Sequence, residues 1–180
     1  MKRVSMSMAV VTAALAMVAS AKPVHQRGDV IHVDDGDTVV LLVAGNQQVR
    51  VRLASIDAPE VPHTKLEKGR IGQPYAENAK RYLTSLVKGQ TVDGNCFEQD
   101  RYGRSVCELF ANGYSVNRKM VEQGWAWANQ ATNGRYLRDK SLRALESKAR
   151  EDRAGLWAGS NPIPPWEWRS ACWMNSRCGQ

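Results

Sequence analysis

A strand that runs into two acidic residues is the feature that most constrains this chain. Residues 51–56 (VRLASI) show the two-residue alternation typical of a β-strand. The strand stops in the sequence DAPE of residues 57–60, because proline cannot donate to a β-ladder. Arg52 therefore lies along the strand, and Asp57 and Glu60 follow at its exit. Such carboxylates suit a hard metal ion and the arginine suits a phosphate, although a salt-bridged strand end explains the pattern equally well.

A second acidic segment precedes a neighbouring strand. Residues 34–38 (DDGDT) stand between apolar segments, and an Asp-Gly pair there predicts a type I′ hairpin turn with positive φ at Asp35 and Gly36. That turn does not use Asp37, which begins the outgoing strand. A further turn at residues 44–46 makes the three strands an antiparallel meander, which brings Asp37 beside Asp57. Two adjacent carboxylates repel each other, and a divalent cation is the usual way to hold them together.

A third charged segment lies at the tip of a later hairpin. Strands predicted over residues 91–96 and 104–110 are joined by the sequence QDRYGR of residues 99–104. Two arginines and a tyrosine beside such a turn suit a nucleotide, because a guanidinium fork and an aromatic face both bind it. Arg101 and Tyr102 are therefore predicted substrate-binding residues, next to Arg104.

The strand and helix patterns predict the fold class. Five short strands and about three helices indicate an α+β fold, and a small Greek-key barrel of the OB type is the commonest design that fits them. Pro74 is predicted to open the first helix at its favoured first position. We expect one barrel domain over residues 22–160. Residues 161–180 form a tail rich in Pro, Trp and Cys, whose proline-rich part we expect to lack regular structure and to lie on the surface.

The first 21 residues have the pattern of a secretory signal peptide. Lys2 and Arg3 precede an apolar stretch too short to span a bilayer, and the sequence ASA of residues 19–21 fits a cleavage site. Cleavage removes two of the 25 basic residues and none of the 18 acidic ones, so the formal net charge falls from +7 to +5. A basic secreted domain favours polyanionic partners. We expect a secreted or periplasmic monomer with no membrane attachment after cleavage.

Four cysteines in an oxidising compartment predict two disulfides, although three pairings are possible. Cys96 and Cys107 lie at equal distances from the middle of a two-residue turn at residues 101–102, so they face each other across the hairpin. Cys172 and Cys178 then pair within the tail. A zinc site is the alternative, but neither pair has the C-x₂₋₄-C spacing and no histidine lies nearby.

The three charged segments together resemble the signature blocks of the staphylococcal nuclease-like (thermonuclease) family, in the family's order and at similar separations. The resemblance covers about residues 28–157, and the tail sequence PPWEW is similar to that of many secreted bacterial members. It implies an OB-fold barrel with three helices that hydrolyses DNA and RNA using calcium. By that likeness Asp37 and Asp57 bind Ca²⁺, with the backbone carbonyl of Ala58 as a further ligand.

The resemblance also implies the catalytic groups. Arg52 and Arg104 would hold the phosphate, and Glu60 would act on the attacking water. In-line hydrolysis builds negative charge on the equatorial phosphate oxygens, and two guanidiniums with a dication stabilise that charge.

The chain departs from the family pattern at two places. Ala58 stands where threonine is usual, a change that a backbone-carbonyl ligand survives. The family's tyrosines after the second helix correspond to Gln130 and Thr132, which removes two stacking groups. The remaining candidates for stacking on a nucleotide are Tyr102, Trp127 and Tyr136.

Two other functions explain part of the sequence. A non-catalytic nucleic-acid-binding barrel would be expected to lose the acids and arginines first, and all five charged positions are present. A small secreted protein-binding domain explains the disulfides but not the three charged segments. The sequence therefore favours the enzyme.

Overall fold

A computed structural model of the chain describes residues 23–62 and 70–178. The predicted signal peptide and its cleavage site lie outside the described residues. Among the residues described, no helix has the length and apolar character needed to cross a membrane.

The described residues form eight strands and five α-helices. In chain order these are β1 (Val24–Val33), β2 (Thr38–Val43), β3 (Gln47–Leu53), β4 (Ile56–Asp57), α1 (Ala76–Val87), β5 (Thr91–Gln99), β6 (Ser105–Ala111), β7 (Tyr114–Ser115), α2 (Val116–Glu122), β8 (Trp127–Ala128), α3 (Ala131–Gly134), α4 (Leu142–Glu151) and α5 (Pro165–Trp168).

Five of the strands close into a barrel, which confirms the predicted α+β fold. β1 pairs antiparallel with β2 and β5, β2 pairs with β3, and β5 pairs with β6. A parallel pairing of β3 with β6 closes the barrel. Three helices have seven or more residues, namely α1, α2 and α4, while α3 and α5 are single turns.

The barrel interior follows the alternation read from the sequence. Leu41 on β2, Val51 and Leu53 on β3 and Leu109 on β6 are fully buried in one apolar core. Helix α1 covers the barrel with residues spaced one turn apart (Ala79, Leu83 and Val87). This helix begins at Ala76, so the prediction that Pro74 occupies its first position is wrong by two residues.

The turn between β1 and β2 differs from the predicted type I′ turn. Val33 pairs with Val39, which leaves a five-residue connection, and neither Asp35 nor Gly36 has positive φ. Gly36 is required for a different reason. A Cβ atom there would lie 2.6 Å from the Cβ of Ala58 and 2.9 Å from that of Ala79. The connection therefore packs tightly against the segment that carries Asp57.

The strand predicted over residues 51–56 is interrupted at Ala54 and Ser55. Ser55 has φ of 65°, and its hydroxyl accepts hydrogen bonds from the backbone N–H groups of Arg138 and Asp139. The side chain of Asn117 donates to the carbonyl of Ala54. These contacts turn the chain out of the barrel, and β4 then pairs with β8 in a separate two-stranded sheet. Distant residues impose this break, so local periodicity did not reveal it.

Both predicted disulfides are present, and Cys96 pairs with Cys107 in register on β5 and β6. The turn is not the expected two-residue one. Asp100 pairs with Arg104 around a three-residue loop in which Gly103 has φ of 76°. A bulge at Phe97 shifts the register back by one residue, so the two irregularities cancel and the cysteines still face each other.

The C-terminal tail is more regular than predicted. Its proline-rich part leads into α5, and Arg169–Met174 continue as a π-helical turn. The buried Trp168 donates from its indole to the carbonyl of Ile71 at 3.3 Å, and Trp173 donates to the same carbonyl at 3.0 Å. The prediction of an irregular surface segment is therefore wrong for residues 165–168, because the anchored indole of Trp168 stabilises a helical turn that begins at the last proline.

Candidate active site

Arg52 lies between the two predicted metal-binding aspartates. From β3, its Nη1 atom is 3.0 Å from Oδ2 of Asp37, and its Nη2 atom is 2.8 Å from Oδ1 of Asp57. Nη1 also donates to the carbonyls of Leu53 and Ile56. The expected juxtaposition of Asp37 and Asp57 is present, and a guanidinium balances part of their charge.

The two aspartates are buried. Asp37 is 5% exposed and Asp57 is 1% exposed. Oδ2 of Asp37 accepts a hydrogen bond from the backbone N–H of Ala58 at 2.8 Å, and Oδ1 accepts one from the hydroxyl of Thr38 at 3.1 Å. The segment after β4 and the segment before β2 are thus joined through one carboxylate. The sequence pattern assigns no role to Thr38, whereas in the structure its hydroxyl fixes the orientation of Asp37.

Arg169 is the residue of this cluster that sequence reasoning missed. It comes from the tail, yet its Nη2 atom is 2.8 Å from Oδ2 of Asp57, and its Nη1 atom donates to Oε1 of Glu60. No sequence pattern links Arg169 to residues more than 100 positions earlier. The only signal in the sequence is its place just after the PPWEW segment, whose prolines predict an irregular surface segment.

Arg104 approaches the cluster from the opposite hairpin. Its Nε atom donates to Oδ2 of Asp100 at 2.7 Å, and its Nη1 atom donates to the Thr38 hydroxyl at 3.3 Å. Since that hydroxyl also donates to Asp37, two hydrogen bonds through Thr38 link Arg104 to the acidic pair. Burial raises the pKa of Asp100, but hydrogen bonds from Arg104 and Tyr102 outweigh it, so the pKa lies below the ordinary value.

The carboxylates carry a surplus of negative charge. Burial raises the pKa of Asp37 to about 7; Arg52 opposes that shift, and the charges of Asp35 and Asp57 add to it. Burial likewise raises the pKa of the neighbouring Asp35. It also raises the pKa of Glu60, against the opposing charge of Arg169. Neighbouring positive charge is needed to keep all of these groups ionised.

The donor chemistry of the site fits a hard cation. The two carboxylates and the carbonyl of Ala58 are all oxygen donors, which calcium prefers. Within residues 23–62 and 70–178, no group of three or more His, Cys, Asp or Glu side chains forms a ready-made cage. Both oxygens of Asp57 and Oδ2 of Asp37 already contact guanidiniums. Within the described residues, Oδ1 of Asp37 accepts one hydrogen bond, from Thr38, and Oδ2 of Asp57 contacts one guanidinium nitrogen, from Arg169, so each of these two oxygens keeps a lone pair for a cation.

The exposed tip of the β5–β6 hairpin carries the predicted substrate-binding residues. Tyr102 is 68% exposed, with the guanidinium carbons of Arg101 and Arg104 at 4.8 and 5.5 Å from its ring centre. Trp127, by contrast, is 2% exposed and packs edge-on against Trp157 with ring centres 5.2 Å apart. Trp127 is therefore a core residue rather than a stacking platform. Of the three stacking candidates, Tyr102 and the 49% exposed Tyr136 face solvent.

Comparison with known proteins decides the family. The sequence profile of the family described as staphylococcal nuclease homologue matches residues 50–159, which is more than half of the chain. The chain belongs to this family. The matched region contains Arg52, Asp57, Glu60 and Arg104 and ends before the tail that supplies Arg169.

Several curated relatives match this staphylococcal nuclease homologue over most of their length. An uncharacterized endonuclease of Escherichia coli O157:H7 is 38% identical over 143 residues, covering 79% of this chain and 84% of the relative. A micrococcal nuclease of Shigella flexneri is 35% identical over 184 residues, covering 95% and 97%. Protein ParB of Escherichia coli is 38% identical over 180 residues, covering 94% of each chain. The predicted family and the prediction of a nuclease-type hydrolase are thereby confirmed.

Proposed function

We propose that this chain is a secreted calcium-dependent nuclease that hydrolyses the phosphodiester bonds of DNA and RNA by in-line attack of water. The observation that carries the proposal is the convergence of Asp37, Asp57, Arg52 and Glu60 at one end of the barrel, with Arg104 linked to Asp37 through the Thr38 hydroxyl. Acidic ligands, phosphate-binding cations and a carboxylate base are the groups that this hydrolysis needs.

The aspartates and the arginines of the site have different roles in the proposed mechanism. Asp37, Asp57 and the Ala58 carbonyl would hold the cation, which when bound polarises the phosphate and neutralises charge developing on its oxygens. Arg104, whose Nε and Nη2 atoms pair with Asp100 and whose Nη1 atom contacts the Thr38 hydroxyl, would bind the phosphate. Arg52, the second arginine predicted to hold the phosphate, also keeps the two aspartates together.

Glu60 accepts the proton of the attacking water. Arg169 holds its Oε1 atom, while its Oε2 atom accepts no hydrogen bond within the described parts of the chain. A half-buried carboxylate with one fixed oxygen and one open oxygen suits a general base or a group that orients water.

Secretion is supported by the signal-like N-terminal sequence and by the two disulfides, which persist in oxidising compartments. The basic net charge favours association with a polyanion. We propose a monomer that acts in the periplasm or outside the cell.

The direct assay uses the mature chain with single-stranded DNA, duplex DNA and RNA, each with calcium and with a chelator. We expect cleavage of all three substrates in calcium and none in chelator. Binding without cleavage under every condition would favour the alternative, a non-catalytic nucleic-acid-binding barrel.

A further inference from the structure

Arg169 of the C-terminal tail contacts the side chains of Asp57 and Glu60 in the active-site cluster. Arg169 contacts both oxygens of Asp57, at 3.3 Å from Nη1 and 2.8 Å from Nη2, and Nη1 also donates to Glu60. One guanidinium thus bridges a proposed metal ligand and the proposed base. The Arg169 side chain is 34% exposed, so it lies at the mouth of the cluster rather than beneath it.

The tail is fixed in place by contacts that do not involve Arg169. Gln73 is buried, and its side chain donates to the carbonyl of Ile163 in the tail. The backbone N–H of Gln73 donates to the carbonyl of Glu60 at 2.7 Å, and its Oε1 accepts from the N–H of Glu60 at 3.3 Å. Gln73 therefore ties the tail directly to the backbone of Glu60.

Two more anchors flank Arg169 on either side. The buried Trp168 precedes it and Trp173 follows it, and both indoles donate to the carbonyl of Ile71 outside the tail. The tail is therefore held to residues outside it on both sides of the arginine. These contacts favour a fixed role for Arg169 over that of a plug that leaves when substrate arrives.

We propose that Arg169 is a positioning residue of the nuclease site, which holds Glu60 by one oxygen and shares Asp57 with the bound cation. The inference rests on the function proposed above. It makes the C-terminal tail a working part of the active site, although the tail lies outside the region that the family profile matches.

The proposal predicts opposite effects on two measurements. Arg169→Gln removes a positive charge beside Asp57, so Ca²⁺ alone, titrated by calorimetry, should bind more tightly by on the order of tenfold. The same change releases Glu60, so turnover of a single-stranded oligonucleotide at saturating calcium should fall roughly 10- to 100-fold. Replacing a residue that only supported the fold would lower both calcium affinity and turnover.

Two further variants separate charge from geometry. Arg169→Lys keeps the charge but cannot bridge two carboxylates with a planar fork, so calcium affinity should stay near wild type while turnover remains low. Arg177→Gln is the matched control, because Arg177 is an exposed arginine of the same tail. Arg177→Gln should change neither calcium affinity nor turnover. The lysine variant also preserves the test if Arg169→Gln fails to fold.

Three outcomes would overturn the proposal. They are equal turnover of Arg169→Gln and Arg177→Gln, a joint loss of turnover and calcium affinity in Arg169→Gln, and a gain of turnover, which would make the tail an inhibitor. Calcium binding and DNA cleavage by the wild-type chain test the proposed function separately from the role of Arg169. If it neither binds Ca²⁺ nor cleaves DNA, the proposed function fails and the role of Arg169 fails with it.

Discussion

Asp37 and Asp57 behave as buried ion-pair partners rather than as surface acids. Two adjacent carboxylates repel each other, so from the sequence we expect that either aspartate, if it lay at the surface, could be removed at little cost. Their burial and their contacts with Arg52 and Arg169 contradict that expectation. Arg52 contacts both aspartates, so it stays paired when either one is removed, but alanine also removes the hydrogen bonds that the buried carboxylate accepts, at a cost of about 1–3 kcal/mol. Asparagine is therefore a better probe of these positions than alanine.

The raised pKa of Asp37 predicts how the metal-free protein responds to pH. An aspartate with an ordinary pKa of 3.8 in the unfolded chain and about 7 in the folded chain keeps its proton longer when folded. Its contribution to stability is then greatest below pH 4 and is lost as the pH rises to about 7. Thermal unfolding in chelator should show a midpoint that falls between pH 5 and pH 8.

Asp37→Asn removes this titration and should flatten the decline. Added calcium should stabilise the wild-type protein more at pH 8 than at pH 5, because the carboxylate must be ionised to bind it. A midpoint that rises between pH 5 and pH 8 in chelator would contradict the charge surplus.

The two arginines of the site should respond differently to lysine. Arg52 bridges two buried aspartates, so Arg52→Lys should lower both turnover and stability. Arg104 pairs with the partly exposed Asp100, so Arg104→Lys should lower turnover by a factor of about 10² or more with little effect on stability. Turnover rates measured together with unfolding midpoints distinguish the effect of Arg52→Lys from that of Arg104→Lys. Equal loss of stability in both variants would contradict these assignments.

At the residue level, the sequence indicated the charged groups but not all of their partners. Asp37, Asp57 and Arg52 meet as expected because neighbouring antiparallel strands place their ends together. Arg169 was missed because its proximity depends on how the whole tail packs. No local pattern encodes a contact across 112 positions.

At the scale of elements, the β5–β6 hairpin presents Arg104, and its bridge joins Cys96 to Cys107 just behind the tip. The sequence predicted this bridge from a symmetric turn. The turn is three residues long, and the bulge at Phe97 compensates for it. Periodicity can indicate that two strands pair, but not where a bulge shifts their register.

Removing the two bridges should have unequal effects. Replacing Cys96 and Cys107 by serine should cost about 3 kcal/mol on the loop-entropy account and should also lower turnover, because the hairpin that carries Arg104 loosens. The matched variant without Cys172 and Cys178 opens a shorter loop and should cost about 2 kcal/mol. It should affect turnover less, and only through Arg169. Denaturant unfolding and initial rates on both double variants test this order. Equal losses of turnover would contradict it.

At the scale of the whole molecule, the fold class followed from counting strands and helices, whereas barrel closure depended on a pairing the sequence does not reveal. The parallel contact of β3 with β6 joins strands more than 50 residues apart. That contact brings Arg52 and Arg104 to one end of the barrel. The order and spacing of the three charged segments suggested that these arginines meet but did not show which strands pair.

The positive charge of the mature chain predicts a strong salt dependence of substrate affinity. The KM for a single-stranded oligonucleotide should rise with salt, with a slope of about 0.7 for each phosphate neutralised, at constant calcium. Arg101→Gln, at the exposed hairpin tip, should reduce that slope by about 0.7. The exposed tail variant Arg177→Gln is the control. An unchanged slope in Arg101→Gln would remove Arg101 from the substrate site.

The proposed mechanism is tested most directly by the single-turnover cleavage rate of an end-labelled DNA oligonucleotide across a calcium titration, for the wild-type chain and Glu60→Gln. We expect a wild-type rate that rises and saturates with calcium and vanishes in chelator. Glu60→Gln should cleave about 10²- to 10⁴-fold more slowly while binding the oligonucleotide normally. Undiminished cleavage in chelator, or a Glu60→Gln rate equal to wild type, would contradict the proposed mechanism.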